Sequence, residues 1–369
     1  MVNNGTSRNA ALAEGPLFHW KYATIAALGL LIVLFNGFTV LAIARTKKLR
    51  NDKYFIVVGA LAAVDAVFGL GMGVSGVDRI ILGPAGLASK AAPWDCMRAP
   101  HRIIGSVGEN AYWMLVCVSL DRLIASAFPL FYLVAGARYA LKLVGAFFSF
   151  FAFNTALMWL ASYHWTSSEP SVRRLCVVLD PYQGFYQRYH GFMFQLFPKF
   201  LSVIVYALAV GMALLEWRKQ QQTARVVGAS TEVGHQRSTQ QQQQRVAWVE
   251  TGRSANNPPA AKPEEINVRA LSRHAGTLTV SVKTAKVASD QKRRETRMLV
   301  TAGVSVGFTV VFALVPHVAL VLAKSLGWAH WKLIGPWSGI GNCVNALANF
   351  FIYTISHREL KEAVRLLFL

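Results

Sequence analysis

A carboxylate at Asp65, within Leu61-Ala62-Ala63-Val64-Asp65, another at Glu109, an amine at Lys199 and an imidazole at His317 all fall inside long apolar runs. An adjacent acid and base, Asp121-Arg122, lies toward the end of one such run. A bare charge near the centre of a bilayer costs at least about 2.5–3.5 kcal/mol on insertion scales, so groups like these face partners or a polar path rather than lipid. Metal-assisted hydrolysis would need clustered His and carboxylates at ligand spacing, and the nine His are scattered. Four Cys (Cys96, Cys117, Cys176, Cys343) are too few and too dispersed for a disulfide scaffold or a zinc site. The residues themselves offer buried ion pairs and hydrogen bonds, or a polar path through the membrane.

Such groups need rigid elements inside a membrane, and the composition supplies them. Of the 369 residues, 54% are hydrophobic and only 15% charged, against roughly 45–50% and about 25% in soluble domains. Seven windows are long enough to cross the hydrocarbon core: 22–44, 54–74, 102–125, 139–163, 191–215, 298–322 and 333–355. Glu109 and Asn110 make the third the least apolar. The expected fold is an all-α membrane bundle of seven helices. Residues 1–21 would precede it, 216–297 would interrupt it and 356–369 would follow.

Charge orients the bundle. Arg45, Lys47, Lys48, Arg50 and Lys53 crowd the first loop while Arg8 alone precedes the first span, which places that loop in the cytoplasm and the N-terminus outside. The Asn4-Gly5-Thr6 sequon, a glycosylation acceptor at Asn4, agrees with that side. Trp20, Trp94, Trp165, Trp328, Trp331 and Trp337 fall near the outer ends, as an interfacial belt requires. Residues 216–297 hold the run Gln240 to Gln244, Pro258-Pro259, 15 basic and 7 acidic residues. That composition predicts a disordered cytoplasmic loop. It carries much of the net charge of +20 to the anionic inner leaflet, so nucleic acid is not needed to explain the charge. At the far end Leu360, Ala363, Val364 and Leu367 share one face, the pattern of an amphipathic helix lying on the membrane.

Several motifs recur in order and at matching depth: Asn36; Lys48-Leu49-Arg50 followed by Tyr54-Phe55-Ile56; Asp65; Ser119-Leu120-Asp121-Arg122-Leu123 followed by Pro129-Leu130-Phe131-Tyr132; Pro198 and Tyr206; Pro316; Asn345; and Asn349-Phe350-Phe351-Ile352-Tyr353. Over all seven spans this set resembles the rhodopsin-like G-protein-coupled receptors, and in its divergence it is similar to the nematode serpentine chemoreceptors. The departures are specific. Leu123 replaces the tyrosine of Asp-Arg-Tyr, Phe350 replaces the proline of Asn-Pro-x-x-Tyr, and Ala313-Leu314-Val315-Pro316 stands for Cys-Trp-x-Pro.

The resemblance implies a plasma-membrane receptor that binds an extracellular ligand, a peptide or a small chemosensory molecule, and activates a heterotrimeric G protein. Arrestin would bind through the long loop. By resemblance Arg122 pairs with Asp121 at rest and is released on activation, with Glu295 a second resting partner and Tyr206 and Tyr353 approaching it when the inner face opens; on its own an arginine there could simply snorkel. Asp65, Asn36, Asn345 and Asn349 would form a polar pocket that in relatives binds sodium, with Ala111 where relatives place a serine. Cys96 and Cys176 would be bridged on the oxidising side. Pro316 removes a helix hydrogen bond and its ring clashes with the preceding turn, so the sixth helix should kink there, a kink that by resemblance serves as a pivot. Ile104, Gly108, Glu109 and His317 are candidates for the ligand pocket; Glu109 and Lys199 read equally as a buried pair, and His317 as an interhelical histidine. No lysine between 333 and 356 is available to hold retinal, and Ile104 replaces the aspartate of amine receptors. The competing readings are a transporter or channel, for which no repeated pair of broken helices is evident, and a receptor-like protein that has lost coupling.

Overall fold

Once water is excluded, every backbone N–H and C=O of an apolar run must bond within its own segment, which selects helix. The computed structural model describes residues 15–83, 89–108, 111–165, 191–219, 296–328 and 331–367, together with 86, 172–174, 176, 189 and 221–222. Its elements in chain order are α1 (Gly15–Arg45), α2 (Lys47–Arg50), α3 (Lys53–Leu82), β1 (Lys90–Ala91), α4 (Pro93–Arg98), α5 (Pro100–Gly108), α6 (Ala111–Ala127), α7 (Pro129–Val134), α8 (Ala137–Trp165) and β2 (Val172–Arg173). A π-helical turn, Gly191–Leu196, leads into α9 (Phe197–Lys219), and α10 spans Thr296–Ala323. Then come α11 (Trp331–Ser356) and α12 (Arg358–Arg365). The chain divides into two packing units, residues 1–210 with 298–369, and residues 211–297. The first unit carries the bundle and its buried polar residues. Glu109, Glu295, Asn4 and most of the 216–297 loop lie outside the described residues.

Six stretches among the described residues are long and apolar enough to cross a bilayer: Phe18–Arg45, Lys53–Leu82, Ile103–Ala127, Ala137–Leu160, Phe197–Lys219 and Thr296–Ala323. The seventh, α11, has the length at 26 residues, but Asn342, Asn345 and Asn349 dilute its hydropathy because it turns a polar face inward. α3 runs eight residues past its expected end at 74. Its last turns still form internal bonds, with Arg79 buried over the Tyr22 ring at 5.3 Å, until Gly83 stops it at a positive φ of +58°.

Two features set the packing. α1 and α3 approach backbone to backbone along Gly29, Gly69, Gly73 and Gly76: a Cβ on Gly29 would stand 2.5 Å from Gly73 N and 2.6 Å from Gly69 O. Lipid supplies no hydrophobic drive between helices, so close van der Waals approach of this kind is what holds them. The second feature is an exposed apolar surface, including Leu30, Leu34, Leu41, Leu70, Phe153, Leu160, Phe200, Ile204, Leu208, Val304 and Val311. That is far more than a water-soluble monomer tolerates and is what acyl chains cover.

At one end, β1 pairs antiparallel with β2 (Lys90 opposite Arg173, Ala91 opposite Val172), and Cys96 is bridged to Cys176 across 80 residues of chain. Cys117 and Cys343 are buried free thiols. Replacing Cys96 by serine should cost roughly 2–4 kcal/mol, since the bridge restricts a long loop in the unfolded chain. The check is thermal unfolding of the purified protein with and without reductant. Wild type should fall to the variant's melting temperature under reduction, and the variant should not respond. At the other end, α12 buries Leu360, Ala363 and Val364 against the bundle and exposes Arg358 and Glu362. Its ion pair Lys48–Glu359 (2.7 Å) is exposed and so contributes little.

Candidate functional site

α6 is buried along most of its length, and near its end this carries Asp121 and Arg122, only 1% and 2% exposed, into the bundle. Arg122 Nε donates to Asp121 Oδ2 at 3.1 Å, and Nη2 also contacts that oxygen. Nη2 donates to the Tyr132 hydroxyl at 2.6 Å, and this hydroxyl donates in turn to Asp121 Oδ2 at 3.2 Å. Nη1 lies 3.4 Å from Met298 Sδ of α10, and the guanidinium stands 5.0 Å from the centre of the Tyr54 ring. Burial holds the Tyr132 hydroxyl well above its ordinary range, so it stays protonated and able to donate.

Tyr132 is placed by α7, a short helix opened by Pro129, whose fixed φ suits the first helical position. The last carbonyls of such a helix lack intrahelical donors. Lys53 satisfies them, donating to the carbonyls of Tyr132 and Ala135 (3.0 Å to the latter) while its Nζ lies 3.7 Å from the centre of the Tyr132 ring. Tyr54, the next residue, pairs its hydroxyl with His357 Nε2 at 2.9 Å. The Arg122 cluster is thereby joined to the turn between α11 and α12. A buried pair of this kind is costly to break by removing one member, about 3–5 kcal/mol, which suits it to hold one of two arrangements.

A second cluster runs through mid-bundle. Asn349 Nδ2 donates to Asp65 Oδ2 at 2.9 Å, and Ser305 Oγ donates to Asn349 Oδ1 at 2.7 Å. Thr309 Oγ1 lies 3.0 Å from both Asn345 Oδ1 and Ser305 O. Asn36 Nδ2 donates to the carbonyls of Ile32 (3.1 Å) and Ala346 (3.4 Å), tying α1 to α11 instead of reaching Asp65. A small cavity, about 10 Å³ and so the room of one water or one bare ion, is lined by Asp65, Ala111, Asn342, Asn345 and Asn349 among others. Asn342 Oδ1 is buried there without a hydrogen-bond partner. A carboxylate and amide oxygens are the donors a hard cation takes, so the residues fit sodium, while Ala111 offers no ligand.

The remaining residues are dispersed. α10 forms a π-helical turn, Val310–Leu314, directly before Pro316, the local unwinding expected beside a mid-helix proline. His317 is buried within electrostatic reach of Lys199. Gly108 is buried against Phe68 of α3, where a Cβ would meet Phe68 Cα at 2.5 Å, so helix packing accounts for this glycine without a ligand. Ile104 is half-buried, its backbone close to Gly71. Tyr206 donates to Leu299 O at 2.7 Å, and Tyr353 is buried near Ser305; Arg122 bonds neither. Phe350 packs on Phe35 with ring centres 4.9 Å apart.

The sequence showed Tyr54 and Tyr132 as motif residues and Lys53 as a loop charge, without their place beside Arg122, and gave no role to His357 there or to Ser305, Thr309 and Asn342 in the cluster around Asp65. A signal existed for two of them: Thr301, Ser305 and Thr309 recur every four residues, a buried polar stripe on one face of an apolar helix. A family model described as 7 transmembrane receptor (rhodopsin family) matches residues 35–353. No curated protein matches the chain.

Proposed function

Because the chain belongs to the rhodopsin family of seven-transmembrane receptors, we propose that it is a plasma-membrane receptor that binds an extracellular ligand in the half of the bundle holding the Cys96–Cys176 bridge and activates a heterotrimeric G protein at the Arg122 end. The observation that carries this reading is the closed Arg122 cluster: a cation held by Asp121 and Tyr132 and covered by Met298 of α10. A ligand that binds an open arrangement better than this one shifts the population toward it. In the open arrangement Met298 leaves and Arg122 is free to meet an incoming helix of the G protein. The Asp65–Asn349–Ser305 chain supports transmission, since it joins α3, α11 and α10 through hydrogen bonds that a shift of α10 must rearrange.

The ligand is a peptide or a small chemosensory molecule. The basic loop between α1 and α3 supports an N-terminus on the outer side, and the long basic loop would offer arrestin its docking segment. The test is a pooled peptide and metabolite screen on cells carrying dissociation reporters for several G-protein classes. A ligand that dissociates one of them only in receptor-bearing cells supports the reading; a ligand that binds without dissociating any G protein contradicts it.

The Asp65 cavity carries a further expectation. Sodium held by Asp65 with Asn342 and Asn345 would favour the closed arrangement by supplying charge there, so agonist affinity should fall when sodium replaces an inert cation. Asp65→Asn should remove that dependence. Competition binding in sodium against N-methylglucamine is the measurement, and a sodium effect undiminished in Asp65→Asn would exclude this site.

A further inference from the structure

We propose that Lys199 clamps the pivot of α10 in the closed arrangement, because its amine is held simultaneously by a carbonyl in the π-helical turn of α10 and by an aromatic face of α6; the proposal deepens the receptor reading above and rests on it. Lys199 lies in α9 and is 1% exposed. Nζ donates to the carbonyl of Ala313 at 3.4 Å and stands 4.1 Å from the centre of the Tyr112 ring. Among the described residues no carboxylate comes within ion-pair distance of it. This buried amine has, among the described residues, a carbonyl and a ring for direct contacts, with His317 within electrostatic reach, where groups of its kind in a membrane bundle usually pair with acids or line a polar path.

Ala313 belongs to the turn Val310–Leu314, immediately before Pro316. The N–H that Pro316 lacks would have bonded a carbonyl at Phe312 or Val311, beside Ala313, and the Ala313 oxygen itself has a second lone pair for a donor from outside the helix. A cationic donor bonds such a carbonyl more strongly than a neutral one, and an aromatic face attracts a cation most when both are out of water. Both contacts are short-ranged. Moving the inner half of α10 away from Arg122 about the Pro316 turn draws Ala313 off Lys199. Among the described residues, the Tyr112 ring is then the direct contact that remains to the buried amine. That penalty falls on the open arrangement, so Lys199 biases the equilibrium toward the closed one, in which Met298 covers Arg122. An apolar chain of similar length exerts no such bias.

The test uses the full chain with Val300, an exposed residue near the inner end of α10, replaced by cysteine carrying an environment-sensitive dye, alongside basal G-protein dissociation per surface receptor. Lys199→Met should shift the dye emission toward that of an opened α10 and raise basal dissociation severalfold. Lys199→Arg, which keeps a cation, should do neither. Tyr112→Leu removes the ring from the other side; it should shift the dye in the same direction, and Lys199→Met added to it should shift the dye less than it does alone. If Lys199→Met fails to reach the membrane, Tyr112→Leu decides. A dye shift with silent G-protein reporters upholds the clamp and counts against coupling. Unchanged dye emission in folded Lys199→Met, or an equal shift in Lys199→Arg, overturns the clamp.

Discussion

Gly29→Leu is expected to remove nearly all folded receptor from the membrane. A Cβ at this position would stand 2.5 to 2.8 Å from backbone atoms of Gly73 and Gly69, and backbone cannot step aside as a flexible side chain can. Relief requires α1 and α3 to separate, and that seam is shared by Gly69, against Ile32 and Gly29, and by Gly76, against Ala26 and Tyr22. Overpacking ordinarily costs about 1–3 kcal/mol. Here the whole seam opens, and a bundle with no hydrophobic drive between its helices has little with which to compensate. Surface labelling of a tagged receptor and the melting temperature of the detergent-solubilised protein give the measure. Gly37→Leu, where a Cβ meets nothing within 4 Å, is the control and should behave as wild type. A well-expressed Gly29→Leu with an unchanged melting temperature would show that the two helices are not held at this distance.

The helices were legible because a membrane converts composition directly into structure: an apolar run of sufficient length can satisfy its backbone only as a helix. Asp65, Asp121 and Arg122 were legible for the complementary reason, since a charge inside such a run stands out. The partners of those charges were not. Tyr54 meets His357 across 303 positions and Asp65 meets Asn349 across 284; periodicity says which face a residue takes and nothing about which helix that face meets. Tyr132 and Lys53 look like ordinary loop and interface residues until α7 folds back under α6. The glycine seam was readable as a small-residue repeat, Gly69 with Gly73 four positions on, yet only the approach of α1 gives those glycines a purpose. Gly108, weighed as a pocket residue, owes its identity to Phe68, a contact that no local pattern announces. α11 is less apolar than the other spans because three asparagines face inward on it, and those residues line the cavity that Asp65 enters.

Arg122→Ala is expected to abolish ligand-driven G-protein dissociation, a loss of tenfold or more per surface receptor, while part of the receptor still reaches the membrane. Two effects must be separated. Deleting the cation leaves Asp121 buried with the Tyr132 hydroxyl beside it but without its counter-charge, and an uncompensated buried charge costs about 3–5 kcal/mol; surface expression should therefore fall. Adding Asp121→Asn removes the stranded charge, so the double variant should recover expression, yet it should remain silent because nothing replaces the guanidinium at the opened face. Asp121→Asn alone does the reverse, leaving Arg122 with Tyr132 and Met298 but without its anion, and basal dissociation should rise. Tyr132→Phe should move in the same direction by less, since it removes one hydroxyl that accepts from Arg122 and donates to Asp121, and a hydrogen bond to a charged group contributes about 1.5–3 kcal/mol. These signs follow from the proposed coupling, in which Asp121 restrains Arg122 and the guanidinium engages the partner. If the double variant signals like wild type, or if Asp121→Asn lowers basal dissociation at equal expression, Arg122 serves the bundle as a structural cation and coupling must be sought at another surface.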